Sequence, residues 1–216
     1  MMKYINQFLR FIFFAIFVKF IVLIILGLNI RHKKRLSLKA PAIIVSNHNS
    51  HLDTLVLINL FPLKLLPKIR AVAAADYFLK NKWIAWFAQE IIGIVPISRK
   101  GQRSSDPLIP CYQALDEGKI LIIFPEGTRG EPEQLSQFKK GVAHLAEKYP
   151  DVPVVPIFMH GLGKSLPKGE FLLVPFFCDV FVGEALYGHQ DKNKFMEALN
   201  HVFETLTAEG HFAPWE

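Results

Sequence analysis

The stretch Val45–Leu57, VSNHNSHLDTLVL, sets His48 five positions before Asp53, with His51 between them. An imidazole can take a proton from a hydroxyl near neutral pH. A carboxylate on its other ring nitrogen fixes the tautomer and stabilises the imidazolium that forms. The pair therefore suits general-base catalysis. Within one regular helix, however, five residues turn through about 500°, and the two side chains would point about 140° apart. They can meet only if His48 lies in the loop before a helix and Asp53 in its first turn. Ser50 and Asp53 form an S-x-x-D pattern similar to a capping box, which places a helix start there. From these residues alone, Asp53 as a simple cap and His48 as a loop residue is an equally open reading. The chain has no G-x-S-x-G to supply a protein nucleophile, so the attacking group would be a hydroxyl on the substrate.

Three further motifs follow in order. FPEGTR (Phe124–Arg129) ends a strong strand; Gly127 permits close backbone approach, and Arg129 offers a planar fork of donors to phosphate. GIVPISR (Gly93–Arg99) is another strand ending in an arginine, and VPVVPI (Val152–Ile157) is an apolar strand. With N-H-x-x-x-x-D ahead of them, these motifs resemble the glycerolipid acyltransferases, the 1-acyl-sn-glycerol-3-phosphate acyltransferase family, over about residues 20–185. The resemblance implies His48 as general base and Asp53 as its orienting partner. The substrate hydroxyl would attack the thioester of acyl-CoA or acyl-carrier protein, without an acyl-enzyme, a metal or another cofactor. It further implies that Arg99, Glu126, Gly127 and Arg129 hold the acceptor's glycerol phosphate and that Pro156 belongs to the strand shaping the acyl pocket. FKKG (Phe138–Gly141) continues the likeness and gives Lys139 and Lys140 at most an electrostatic role. Pro96 departs from the pattern, standing where the family usually has a bulky apolar residue; this bears on the identity of the acceptor. Lysophosphatidate is the expected acceptor, with glycerol 3-phosphate or another lyso-lipid as the alternative.

Positioning these groups requires alternating strands and helices. Strands are expected at Pro41–Ser46, Lys68–Ala74, Ile94–Ser98, Lys119–Phe124, within VPVVPIFM, and as one or two within EFLLVPFFCDVFVGEAL. Helices are expected in HLDTLVLINLF, Asp76–Ile92, DPLIPCYQALDEG (interrupted by Pro110 and ended by Gly118), FKKGVAHLAEKY and DKNKFMEALNHVFETLTAE. The alternation predicts an α/β fold, a mixed sheet flanked by helices in a glycerol-3-phosphate acyltransferase-like sandwich. Trp83 and Trp86, three apart on an apolar helix, are expected in the core, with the membrane interface as the alternative.

Ahead of this body, Phe11–Ile30 is apolar except for Lys19 and Asn29. It is long enough to cross a hydrocarbon core, which takes roughly 20 residues, and its many Leu, Ile and Phe outweigh the roughly 2.5–3.5 kcal/mol cost of Lys19. Residues 1–39 read as a membrane-embedded anchor, spanning or tilted and half-inserted, with the basic junction Arg31–Arg35, and residues 40–216 as the catalytic domain. The junction's charge excess places that domain in the cytoplasm and favours contact with anionic membrane lipids. The net charge of +6 suits an anionic partner, but no motif supports nucleic acid. Two cysteines make no disulfide framework, and Cys111 as a covalent acyl carrier lacks a base. His51 reads as a neighbour of the pair, since catalytic zinc usually needs three protein ligands. A metal-dependent lipid phosphoesterase and an inactive lipid-binding protein are the rival classes.

Overall fold

The computed structural model describes residues 2–36, 38–78, 81–98, 106–130, 134–166, 174–189 and 191–212. The chain opens with α1 (Met2–Ile12), whose helix continues through wider π-helical turns at Phe13–Val18 and Ile21–Ile25 and then extends into strand β1 (Leu26–Arg31). There follow β2 (Ala42–Ser46), α2 (Asp53–Asn59), β3 (Ile69–Ala74), α3 (Ala75–Phe78), α4 (Lys82–Trp86, prolonged by a π-helical turn to Ile92) and β4 (Ile94–Ile97). Next come α5 (Ile109–Asp116), β5 (Ile120–Ile123), α6 (Gly141–Lys148), β6 (Val154–His160), α7 (Leu162–Ser165), β7 (Phe176–Val182) and α8 (Lys192–Glu209).

The seven strands form one sheet in the order β1-β7-β6-β2-β5-β3-β4. Strands β2 to β6 run parallel to one another, β7 is antiparallel to β6, and β1 is parallel to β7. Alternate residues of β2 feed opposite faces: Ala42 and Ile44 pack with α2 and the N-terminal helix, Ile43 and Val45 with α5, α6 and α8. The result is the mixed sheet flanked by helices that the alternation predicts. The segments that follow β2 and β5, which carry His48 and Phe124–Arg129, leave the same carboxyl edge of the parallel strands, the usual site of chemistry in open α/β sheets.

The N-terminal region differs from its expected organisation. Leu26–Arg31 is not the end of a membrane helix but a strand, paired residue by residue with Phe176–Phe181. Phe14, Val18, Val22 and Leu26 are all buried in the sheet's core. Their strict four-residue repeat would drift by about 40° per step on a regular helix; the wider turns absorb the drift and keep the stripe facing the sheet. Arg10 is also buried, donating from Nη2 to the carbonyls of Ile69 (2.9 Å) and Ile92 (3.1 Å). The division at residue 39 therefore fails, because both sides of it share one core. Met2–Ile24 is nonetheless long and apolar enough to cross a membrane by length and composition.

Three smaller differences have local causes. Pro110 does not interrupt its helix; it lies in the first turn of α5, where its missing N–H leaves no bond unmade. Trp83 and Trp86 are not core residues, since α4 buries none of its side chains and Trp83 is 70% exposed. The basic junction folds onto the protein: Arg35 donates to the Val182 carbonyl and meets Glu184 at 3.1 Å, while Arg31 and His32 both face Glu209.

Candidate active site

His48 lies two residues beyond β2, and Asp53 is the first residue of α2. The loop turns back so that His48 Nδ1 and Asp53 Oδ2 are 2.9 Å apart. The backbone N–H groups of Asn49 (2.7 Å) and Ser50 (2.9 Å) donate to the same oxygen. Asp53 is buried, and donors converging on it fix its orientation. Only one arm of the capping box forms: Asp53 reaches back to the Ser50 N–H, whereas Ser50 Oγ donates to the Leu166 carbonyl. With Nδ1 donating to Asp53, Nε2 carries the lone pair that a base needs. The ring stacks on Phe124 with centroids 4.0 Å apart, which restricts its rotation.

The FPEGTR segment grips the backbone of His48. Glu126 Oε1 accepts the His48 N–H at 2.9 Å, and the Gly130 N–H donates to the His48 carbonyl at 2.9 Å. The other oxygen of Glu126 accepts the Ser136 N–H at 3.3 Å. Burial pushes the Glu126 carboxyl above its ordinary range, against the opposing pull of these hydrogen bonds. A second bracket lies on the opposite strand: Asn47 Nδ2 donates to the Met159 carbonyl and Asn47 Oδ1 accepts the Met159 N–H, both at 2.8 Å. This pairing continues the β2–β6 register by one side chain and fixes where the loop begins. Asn47 heads the N-H-x-x-x-x-D motif, but its bracketing role was not legible there because its partner is distant in the chain.

His48 opens onto a cavity of about 770 Å³. Its apolar wall includes Val72, Ile94, Ile97, Leu108, Ile123 and Leu145, and its polar end includes His51, Thr128, Arg129 and Lys139. An apolar pocket with a few convergent polar groups suits an amphiphilic ligand. Arg129 Nη1 is buried and has no hydrogen-bond partner among the described residues. A desolvated cation is costly unless something pairs with it, so this donor is suited to an anionic ligand. His51 is unsuited to that task, since partial burial, then Arg129 and His48, hold its imidazole below the ordinary range and favour the neutral form. Cys111 forms part of the wall, and burial raises its thiol to about 12, which suppresses the thiolate. Among the described residues, no three His, Cys, Asp or Glu side chains are grouped to hold a metal.

Two residues expected at the substrate, Glu126 for the acceptor's glycerol phosphate and Pro156 for the acyl pocket, do not line this cavity. Glu126 does not line the cavity, because its carboxylate is taken up by the backbone of His48 and Ser136. Pro156 is likewise absent from the lining: β6 adjoins β2 on the side away from β5, β3 and β4, where the cavity opens. Gly127 and Arg129 do line it. Arg99 lies outside the described residues.

Comparison with known proteins adds an independent line. A family model described as Acyltransferase matches residues 27–160. The chain is 34% identical over 168 residues to the chloroplastic 1-acyl-sn-glycerol-3-phosphate acyltransferase BAT2 of Brassica napus, covering 77% of this chain and 46% of that protein. It is 32% identical over 146 residues to human 1-acyl-sn-glycerol-3-phosphate acyltransferase alpha, covering 66% of this chain and 48% of that protein. The chain thus spans about half the length of these curated relatives. The crystal structure of the 1-acyl-sn-glycerophosphate acyltransferase of Thermotoga maritima shares the fold, with a TM-score of 0.72 at 19% identity over 99% of this chain and 83% of that one.

Proposed function

The chain belongs to the acyltransferase family, that of the 1-acyl-sn-glycerol-3-phosphate acyltransferases, and on this premise we propose that it transfers a fatty acyl chain from acyl-CoA or acyl-carrier protein to the hydroxyl of 1-acylglycerol 3-phosphate, giving phosphatidic acid. His48 Nε2 takes the hydroxyl proton as the oxygen bonds to the thioester carbonyl carbon. The resulting imidazolium is stabilised by Asp53 through Nδ1. The C–S bond then breaks, and the departing thiolate recovers the proton from the imidazolium. Arg129 pairs with the acceptor's phosphate, and the apolar wall receives acyl chain. The observation that carries this reading is the 2.9 Å His48–Asp53 contact at the mouth of a cavity that also holds the unpartnered Arg129 donor. Purified full-length protein in detergent, given lysophosphatidate, glycerol 3-phosphate and other lyso-lipids with each donor type, tests it. Phosphatidic acid as the dominant product by mass is expected; dominant acylation of another acceptor would replace lysophosphatidate.

The reaction takes place at a membrane surface in this reading. Phe17, Phe20, Leu23 and Ile24 are exposed on the N-terminal helix, as are Trp83, Ile84, Trp86 and Phe87 on its packing neighbour. The two helices are joined by the Phe13–Phe87 ring contact (5.4 Å) and by the Asn6–Glu90 hydrogen bond (2.9 Å). An exposed apolar surface of this extent suits burial among lipid chains. The helix is held along the sheet by Phe14, Val18 and Val22, which supports shallow insertion over a free-standing span. The exposed Lys33 and Lys34 beside this helix suit attraction to anionic lipid headgroups.

A further inference from the structure

We infer that Lys139 is a second cation for the acceptor's phosphate and a determinant of acceptor specificity; this rests on the phosphate reading of Arg129. The Lys139 backbone N–H donates to the Pro125 carbonyl at 2.9 Å, which anchors the residue beside the FPEGTR turn. Its side chain then lies across Gly127. A Cβ built on Gly127 would stand 2.5 Å from Lys139 Nζ, 3.1 Å from Cε and 3.2 Å from Cδ. Gly127 has φ +73°, so glycine serves both the left-handed turn and the passage of the lysine. The side chain is thereby delivered to the cavity that His48 and Arg129 line.

The neighbouring lysines are engaged elsewhere. Lys140 donates to Asn193 at 3.0 Å, and Lys192 pairs with Glu147 at 2.9 Å. Lys139 is solvent-exposed, and its ammonium lies over Gly127 at the edge of the FPEGTR turn. Helix α6 begins two residues further on, and Gly141 and Val142 of its first turn line the same cavity. Its positive dipole end adds to the local potential for an anion. A compact ammonium and a planar guanidinium on one wall are complementary devices, one a point charge and the other a directed fork. A phosphate ester is the group that uses both.

Steady-state kinetics of the full-length protein in detergent test this, with acyl-CoA as donor and lysophosphatidate or monoacylglycerol as acceptor. Lys139→Met should raise the KM for lysophosphatidate about tenfold or more, leave kcat and the donor's KM within about twofold, and not affect monoacylglycerol. Lys139→Arg should restore most of the loss, and Lys140→Met should behave as wild type. Thermal melting of each variant checks folding. If Lys139→Met disturbs it, Lys139→Gln takes its place in the same kinetics, with the same rise in the lysophosphatidate KM expected. An unchanged lysophosphatidate KM in Lys139→Met, while wild type still prefers lysophosphatidate, overturns the inference alone. A rise confined to the donor's KM also overturns it, assigning Lys139 to a donor phosphate. If wild type uses both acceptors equally well, the phosphate reading of the site fails with it.

Discussion

The carboxylate of Glu126 accepts the backbone N–H of His48 at 2.9 Å, across 78 positions of sequence. The FPEGTR segment therefore sets the position of the base before any substrate arrives. His48 is held through its ring by Asp53 and through its main chain by Glu126 and Gly130. Such over-determination is what a general base requires, because small displacements of reacting groups cost large factors in rate.

Removing the base should abolish most turnover without unfolding the protein. His48→Ala is expected to lower kcat by about 10²–10⁴-fold, and Asp53→Asn to be similarly severe because the wrong tautomer is then favoured. Single-turnover assays beside thermal melts provide the check. Wild-type-like turnover in folded His48→Ala would end the mechanism.

Glu126→Gln should reduce kcat about tenfold or more while the acceptor's KM moves little, since Glu126 acts on the placement of His48. A predominant rise in acceptor KM would return Glu126 to the substrate contacts.

The same carboxylate has a pH signature. Its folded-state pKa is raised by burial, so the folded protein binds this proton more tightly than the unfolded chain. Stability from Glu126 must then rise as pH falls from neutrality toward the ordinary glutamate value of about 4.3, and level off below it. The amide introduced by Glu126→Gln does not titrate. The melting temperature of wild type minus that of Glu126→Gln should grow across this interval; a difference that shrinks on acidification contradicts the raised value.

Gly127→Ala should cost about 1–3 kcal/mol of stability, as a left-handed non-glycine residue does. Its methyl group would also displace Lys139. Urea denaturation is expected to show the first effect, and a raised lysophosphatidate KM in the folded fraction the second. A variant with unaltered midpoint and kinetics refutes both.

Membrane attachment should be separable from folding. Replacing the exposed Phe17, Phe20, Leu23 and Ile24 by polar residues is expected to release the protein from phospholipid vesicles in flotation while its melt is kept. Deleting residues 1–35 should instead destabilise the whole domain, because it removes β1 and the buried Phe14, Val18 and Val22. Continued flotation of the polar variant would place the attachment elsewhere.

The sequence by itself determined the parts whose signal is local. The apolar runs of β2 and β5 and the long amphipathic α8 follow from short-range pattern. The H-x₄-D spacing closes only in a loop-then-helix reading, and the family resemblance then singled out this pair and FPEGTR. Tertiary structure decided what depends on distant partners. Leu26–Arg31 is apolar enough to prolong the helix before it; it is a strand because β7 offers it a full ladder, with Asn29 bonded to Asp179 150 positions away. Arg10 looks like a flanking surface charge until the Ile69 and Ile92 carbonyls are brought beside it. Glu126 and Pro156 were grouped with the substrate because motifs record proximity in the chain. The fold turns the first toward the backbone of His48 and puts the second on the far side of β2, while Lys139 reaches the cavity by crossing Gly127. Hydrogen bonds and desolvation are settled by neighbours in space, and those neighbours exist only once the sheet has assembled.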